Sequence, residues 1–202
     1  MNYARDYLKA FNEGIEKTET RVHGSFVSKK EFFEKLVRLC KNGGRMFFYG
    51  NGASMAFASH MSLDWHKNGK VESHALSDIS LLSAYVNDYS KDEMFSEHLK
   101  SFKPTESDII CTISSSGNST NVIGVLKYAN KINATTVSFS GLNFNNESIR
   151  NSDFSLFIPL KTYGQVECAH QLFLHLWLDK FMGIMEWDRD GVQNMNAKQF
   201  KL

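Results

Sequence analysis

The chain has 202 residues, 42% hydrophobic and 22% charged, with a formal net charge of +1 at pH 7. That is enough chain for one domain with a proper core and short for two. The balanced charge leaves no nucleic-acid footprint, and no apolar run approaches transmembrane length, so neither nucleic acid nor membrane is an expected partner.

The first residues lack the apolar stretch of a signal peptide. Cys40, Cys111 and Cys168 are odd in number and far apart, and read as reduced core thiols of a cytoplasmic protein. Residues from Tyr3 to Thr20 form an expected amphipathic helix, with Tyr7, Leu8, Phe11 and Ile15 on one side. Ser28 is the expected N-cap of a second helix through Phe32, Leu36 and Cys40, ended by Asn42-Gly43-Gly44. Two helices before the first strand exceed what an α/β unit needs; their apolar faces fit either a partner subunit or their own sheet.

Strands are expected at Arg45–Gly50, Val71–Leu76, Ile109–Ile113, Ala134–Gly141 and Phe154–Pro159. The helices between them start near Ala53, after Ser77-Asp78, near Asp92 and after Ser119. A long last helix runs from Gln165 to about Trp187. This alternation implies a three-layer αβα fold on a parallel five-stranded sheet. The chain reads as a single domain, with N-terminal helices over 1–44, the core over 45–187 and a tail over 188–202. Ligands of such sheets sit outside the carboxyl ends of the strands.

Two turns therefore share a rim: Asn51-Gly52-Ala53-Ser54 after the first strand, and Ser114-Ser115-Ser116-Gly117-Asn118-Ser119 after the central one. In the second, four hydroxyls surround the start of a helix whose apolar residues are Val122, Ile123, Val125, Leu126 and Ala129. Free N–H groups and the helix dipole suit a phosphate monoester there. An ordinary Ser/Asn cap fits the same residues.

His60 and Asp64 stand four apart and project from one helix face. Glu167 and His175, eight apart, lie within about 80° of each other on the last helix. Two histidines and two carboxylates could hold Zn²⁺ or serve as proton donors and acceptors. A surface His60–Asp64 pair and a buried helix histidine would also account for them. His23, His66, His74 and His98 have no partner at a useful spacing.

These motifs occur in an order that resembles the sugar isomerase (SIS) domain, and within it the phosphoheptose isomerase family. They are Gly50-Asn51-Gly52-Ala53-Ser54, His60 with an acid four residues on, Asn87-Asp88, the Ser114–Ser119 turn, and an acid eight before His175. The resemblance covers nearly the whole chain. It implies a flavodoxin-like SIS fold with extra N-terminal helices, and phosphate bound by Ser114, Ser115, Ser116 and Ser119. It implies a sugar site lined by Asn51, Gly52, Ala53 and Ser54, with Asn87 and Asp88 on sugar hydroxyls. His60, Asp64, Glu167 and His175 would hold one Zn²⁺ per site, and Asp64 and His175 would form the acid/base pair. A homotetramer with active sites at subunit interfaces is also implied.

The reaction implied is ketose–aldose isomerisation of sedoheptulose 7-phosphate to D-glycero-D-manno-heptose 7-phosphate, for a heptose-containing surface polysaccharide (lipopolysaccharide or capsule). Isomerisation of a related sugar phosphate, and a non-catalytic sugar-phosphate-binding or adaptor protein, are the alternatives. Two positions depart from the family: it usually has Glu where this chain has Asp64, and Gln where it has Glu167. A base withdrawn by ~1 Å can lose ~10²-fold in rate. Two facing carboxylates raise one pKa unless a cation separates them. The departures thus favour a metal or move the base to Glu167.

Overall fold

The computed structural model describes residues 2–183 of the chain. The tail expected over 188–202, and the last helix past residue 183, lie outside the described residues. Helix α1 spans Tyr3–Glu16 and opens on Asn2, whose side chain accepts from the Arg5 N–H. It ends short of Thr20, because Glu19–Val22 is a strand, β1, paired antiparallel with β2, Ser25–Val27. The two-residue turn between them, His23-Gly24, has φ of 47° and 77°. Positive φ at both positions matches the right-handed strand twist and closes a tight hairpin. Helix α2, Lys29–Asn42, starts where Ser28 accepts from the Glu31 N–H and buries Phe32, Phe33, Leu36, Val37 and Cys40.

The α/β core follows: β3 (Met46–Gly50), α3 (Ala53–Lys67), β4 (Ser73–Ala75), α4 (Ile79–Asp88), α5 (Met94–Ser101) and β5 (Ile109–Ser114). It continues with α6 (Thr120–Lys131), β6 (Thr135–Gly141), α7 (Glu147–Arg150), β7 (Phe154–Ile158) and α8 (Tyr163–Met182). The strand order is β2-β1-β7-β6-β5-β3-β4. The parallel strands β3 to β7 are those expected, but the sheet is mixed and seven-stranded, since β1 joins β7 antiparallel. The correction has a physical cause: a two-residue loop can join only antiparallel strands, and β1 covers the open edge of β7.

Every residue of β3, β5 and β7 is buried, as strands covered on both faces must be. One core layer takes its apolar residues from α2, α3 and α8, including Trp65 and Trp177, whose rings lie 5.1 Å apart. The other is built on Phe47, Tyr49, Phe95, Leu99, Val122 and Val125 beneath α5 and α6. Cys40 and Cys111 sit in the first layer, whereas Cys168 is exposed on the outer side of α8, contrary to its expected core place. Burial pushes the Cys40 thiol up to about 12, so it is an inert hydrophobe.

The chain enters the parallel sheet at β3, goes outward to β4, then returns to β5 on the other side of β3. Strand order therefore reverses between β3 and β5, and their carboxyl ends open a crevice. Among the described residues, no helix is long and apolar enough to cross a membrane.

Candidate active site

The crevice is bordered by the two polar turns. Gly52 begins α3 at φ 57°, and neither it nor Ser119, the residue before α6, closes its helix with a side-chain hydrogen bond. No N-cap side chain therefore takes the first N–H groups of either helix, although the Val122 N–H of α6 donates to Asn121 Oδ1 at 2.9 Å and the Ser54 and Met55 N–H groups of α3 donate to the Asn51 and Gly52 carbonyls. The Asn51 side chain is already engaged: it and the side chain of Asn121 exchange two hydrogen bonds, at 2.8 and 2.9 Å. This amide pair ties one turn to the other. Asn121 lies just past the serine turn and carried no signal beyond its place in a helix start.

In the serine turn, the Ser114 hydroxyl accepts from the Gly117 N–H and that of Ser116 from the Asn118 N–H. The Ser115 hydroxyl is buried and has no partner among the described residues. A buried hydroxyl left unpaired is destabilising, and an anion at the α6 start would relieve it. Behind the turn stands Asn146. Its side chain caps α7 and donates to the Ser140 hydroxyl and the Asn143 carbonyl. Gly117 turns against it at φ 64°, where an added Cβ would come within 2.3 Å of the Asn146 side chain. Gly117→Ala should therefore lower stability by about 1–3 kcal/mol and raise KM for a phosphorylated substrate about tenfold. Thermal melts and initial rates measure both.

Asn87 and Asp88 end α4, exposed, with Asn87 donating to the Asp88 carboxylate at 2.9 Å. The segment that follows reaches the crevice: the Thr120 hydroxyl at the start of α6 bonds to Asp92.

The ionisable groups gather elsewhere on the same side of the sheet. Helices α3 and α8 both leave the carboxyl rim and run back along the sheet side by side. His60 Nε2 lies 3.1 Å from Asp64 Oδ2, and the His60 and His175 rings are 5.2 Å apart, edge to face. Ligand atoms of His60, Asp64 and His175 all fall within 4.8 Å of one another. Two imidazoles and a carboxylate are suitable zinc donors, and a modest closure would bring them onto one ion. Asn68 steadies the other Asp64 oxygen at 3.4 Å. Glu167, half-buried and two turns earlier on α8, is not in the cluster. Gln171 stands between them, its Nε2 2.8 Å from His175 Nε2.

His60 is seven residues beyond Ala53, so the cluster lies about 10 Å along α3 from the rim. Its surroundings are apolar and open: Leu63, Leu172 and Leu176 are 58%, 46% and 40% exposed. Helix α4 is also rich in apolar residues, yet none of them is buried.

Comparison with known proteins agrees with this geometry. The SIS domain family matches residues 6–141. A phosphoheptose isomerase of Helicobacter pylori is 28% identical over 184 residues, covering 88% of this chain and 93% of that protein. One of Aliarcobacter butzleri is 32% identical over 145 residues, covering 69% and 76%. Among solved structures, a phosphoheptose isomerase of Neisseria gonorrhoeae superposes with a TM-score of 0.74 at 23% identity, covering 90% of this chain and 97% of that one. By its matched domain and these relatives, the chain belongs to the phosphoheptose isomerase family of SIS-domain proteins.

Proposed function

We propose that the chain is a ketose–aldose isomerase that converts sedoheptulose 7-phosphate to D-glycero-D-manno-heptose 7-phosphate. The observation that carries this reading is the meeting of His60, Asp64 and His175 from two helices, at a distance from an uncapped, serine-lined helix start. Sedoheptulose 7-phosphate has its ester at one end and its carbonyl at the other, and the two parts of the site are separated accordingly.

Ser114, Ser115, Ser116 and Ser119, with the first N–H groups of α6, hold the phosphate. Its binding energy fixes the flexible open-chain sugar so that C1 and C2 reach the ionisable groups. Asn87 and Asp88 bind sugar hydroxyls, and Gly52, Ala53 and Ser54 shape the wall of the sugar site. His175 and one carboxylate, Asp64 or Glu167, carry a proton between C1 and C2. Zinc, held by His60, Asp64 and His175 with a fourth donor from α8, would supply a Lewis acid for the negative charge that develops on the carbonyl oxygen.

A second copy of the chain covers Leu63, Leu172, Leu176 and the outer side of α4, in a homotetramer whose sites lie at subunit interfaces. A cytoplasmic location and supply of heptose to a surface polysaccharide complete the reading; three unpaired cysteines suit a reducing compartment. The test is proton NMR of sedoheptulose 7-phosphate incubated with the protein, with and without a chelator. A new aldose anomeric signal is expected; its absence in every metal condition would remove the isomerase reading. Binding without exchange of the C1 and C2 protons would instead indicate a sensor.

A further inference from the structure

We infer that Asn121 is a positioning residue: it takes over the capping of α6 and, paired with Asn51, forms a strut that fixes the sugar wall of the crevice against the phosphate cradle. The inference rests on the isomerase reading proposed above and deepens it, because the strut sets how long a sugar phosphate the site accepts.

The first observation is which atom caps α6. Ser119 holds the N-cap place, where a serine ordinarily takes the N–H of the second or third helical residue. Its hydroxyl makes no such bond. The Val122 N–H, third in the helix, goes instead to Asn121 Oδ1 at 2.9 Å, and the Ile123 N–H goes to the Ser119 carbonyl. The Thr120 and Asn121 N–H groups are left without a partner among the described residues. Asn121 thus leaves the Ser119 hydroxyl and two adjacent N–H groups open together. The buried, unpartnered hydroxyl of Ser115 belongs to the same turn. This is a donor set suited to a phosphate dianion.

The second observation is the pair itself. Asn51 Nδ2 donates to Asn121 Oδ1 at 2.8 Å, and Asn121 Nδ2 donates back to Asn51 Oδ1 at 2.9 Å. Asn121 is 1% exposed, so water does not compete for its amide. Its Oδ1 gives one lone pair to Asn51 and the other to Val122, and is then full. Asn51 stands at the carboxyl end of β3, before Gly52-Ala53-Ser54, and Asn121 in the first turn of α6, after β5. The two strands are neighbours, paired from Met46↔Ile109 to Gly50↔Ile113. The strut therefore joins the two walls of the crevice where the strands end. Asparagine favours caps and turns over helical positions, so its place inside α6 needs a reason, and this double duty supplies one.

A phosphate held at α6 lays its sugar along the Gly52–Ser54 wall, and the strut fixes how far the reacting carbons lie from the ester. A displacement of ~1 Å can lose ~10²-fold in rate. Loosening the strut should harm a substrate that spans this reach. A shorter one never used the fixed spacing and should lose little.

The test uses the full-length protein and two probes. Inorganic phosphate is titrated by calorimetry, and turnover is measured on ketose phosphates of seven, six and five carbons. Circular dichroism and thermal melts monitor folding. Asn121→Ala removes cap and strut together, and should weaken inorganic phosphate binding about tenfold and lower kcat on sedoheptulose 7-phosphate about tenfold. Asn51→Ala removes the strut alone. Its phosphate affinity should stay within about threefold of the parent, while kcat on the seven-carbon substrate and the preference for it each fall about tenfold. The double variant should match the kcat of Asn121→Ala within about threefold, because both substitutions break one contact. Unchanged kcat and preference in Asn51→Ala overturn the strut. So do losses that multiply in the double variant, since the two amides would then act separately. Should Asn121→Ala fail to fold, Asn51→Asp decides. It keeps the size and the acceptor for Asn121 Nδ2 but sets a second oxygen against Asn121 Oδ1, and full retention of rate and preference overturns the strut equally. A parent that turns over no ketose phosphate removes the isomerase reading itself; an active parent whose variants keep its rates and preference removes only this inference.

Discussion

Replacing His175 by alanine should lower turnover of sedoheptulose 7-phosphate by about 10³-fold or more, with KM changed by less than about threefold. The expectation follows from where His175 stands. It faces His60 across the α3–α8 contact, with ring centroids 5.2 Å apart, about two helical turns from the rim where the phosphate binds. The substitution leaves the serine turn and the Asn51–Asn121 amide pair untouched. Binding energy from the ester should therefore survive, while the proton carrier and a metal donor are both lost. Rates from NMR, together with zinc content and circular dichroism of the variant, separate these effects from misfolding. A raised KM at unchanged kcat would show that His175 only holds the substrate.

The two carboxylates give the companion comparison. Asp64 bridges towards His60 and Asn68, and so is already committed to two neighbours. Glu167 is not part of that cluster. Full turnover by Asp64→Asn together with loss in Glu167→Gln would place the base at 167; the reverse would place it at 64.

What the sequence could show depended on how local each signal was. The run Ile109–Ser114 is buried at every position, and its β-branched character alone marks a covered parallel strand. Ser28, Asp78 and Asn2 each accept a hydrogen bond from the third residue on, the ordinary chemistry of a helix start. The hairpin of β1 and β2 left a weaker trace: its turn is His23-Gly24, not the Asn-Gly pair that usually marks such a loop, and β2 has only three residues. The short helix α7 is a single turn, below the length at which apolar periodicity registers.

Partnerships across the fold were not legible at all. Tyr49 and His98 are 49 positions apart, yet the Tyr49 hydroxyl and His98 Nδ1 meet at 2.9 Å between two layers. Asn51 and Asn121 are 70 apart and pair only because β3 and β5 are neighbours. In the site, spacing placed His60 with Asp64 and marked His175. It could not show that Gln171, with no motif around it, would reach His175 while Glu167 would not join the cluster.

The Tyr49–His98 pair leads to the second large expected effect, on stability in acid. His98 is 2% exposed, edge-on to Tyr85 and Phe102, and removal from water, with a smaller contribution from nearby His74, lowers its pKa from 6.5 to about 4. Its imidazole is thus neutral in the native state at pH values where an unfolded histidine is charged. Between 6.5 and about 4 the unfolded chain binds a proton that the folded chain does not, so stability falls as the pH is lowered through this window. At about 1.4 kcal/mol per pH unit, the full window is worth about 3 kcal/mol. His170, wholly buried beneath β6, is likewise lowered to about 4 by burial, though the Ser140 backbone opposes the shift, and adds a loss of the same sign. Urea unfolding between pH 7 and pH 4 should show a combined loss of about 6 kcal/mol, a large share of the stability of an ordinary domain. His98→Gln keeps an acceptor for the Tyr49 hydroxyl but cannot take up a proton. The variant should lose about half as much stability over the same range, whatever its stability at pH 7. An unchanged slope would mean that His98 stays accessible to protons in the native state and that the Tyr49 contact does not exclude its charged form.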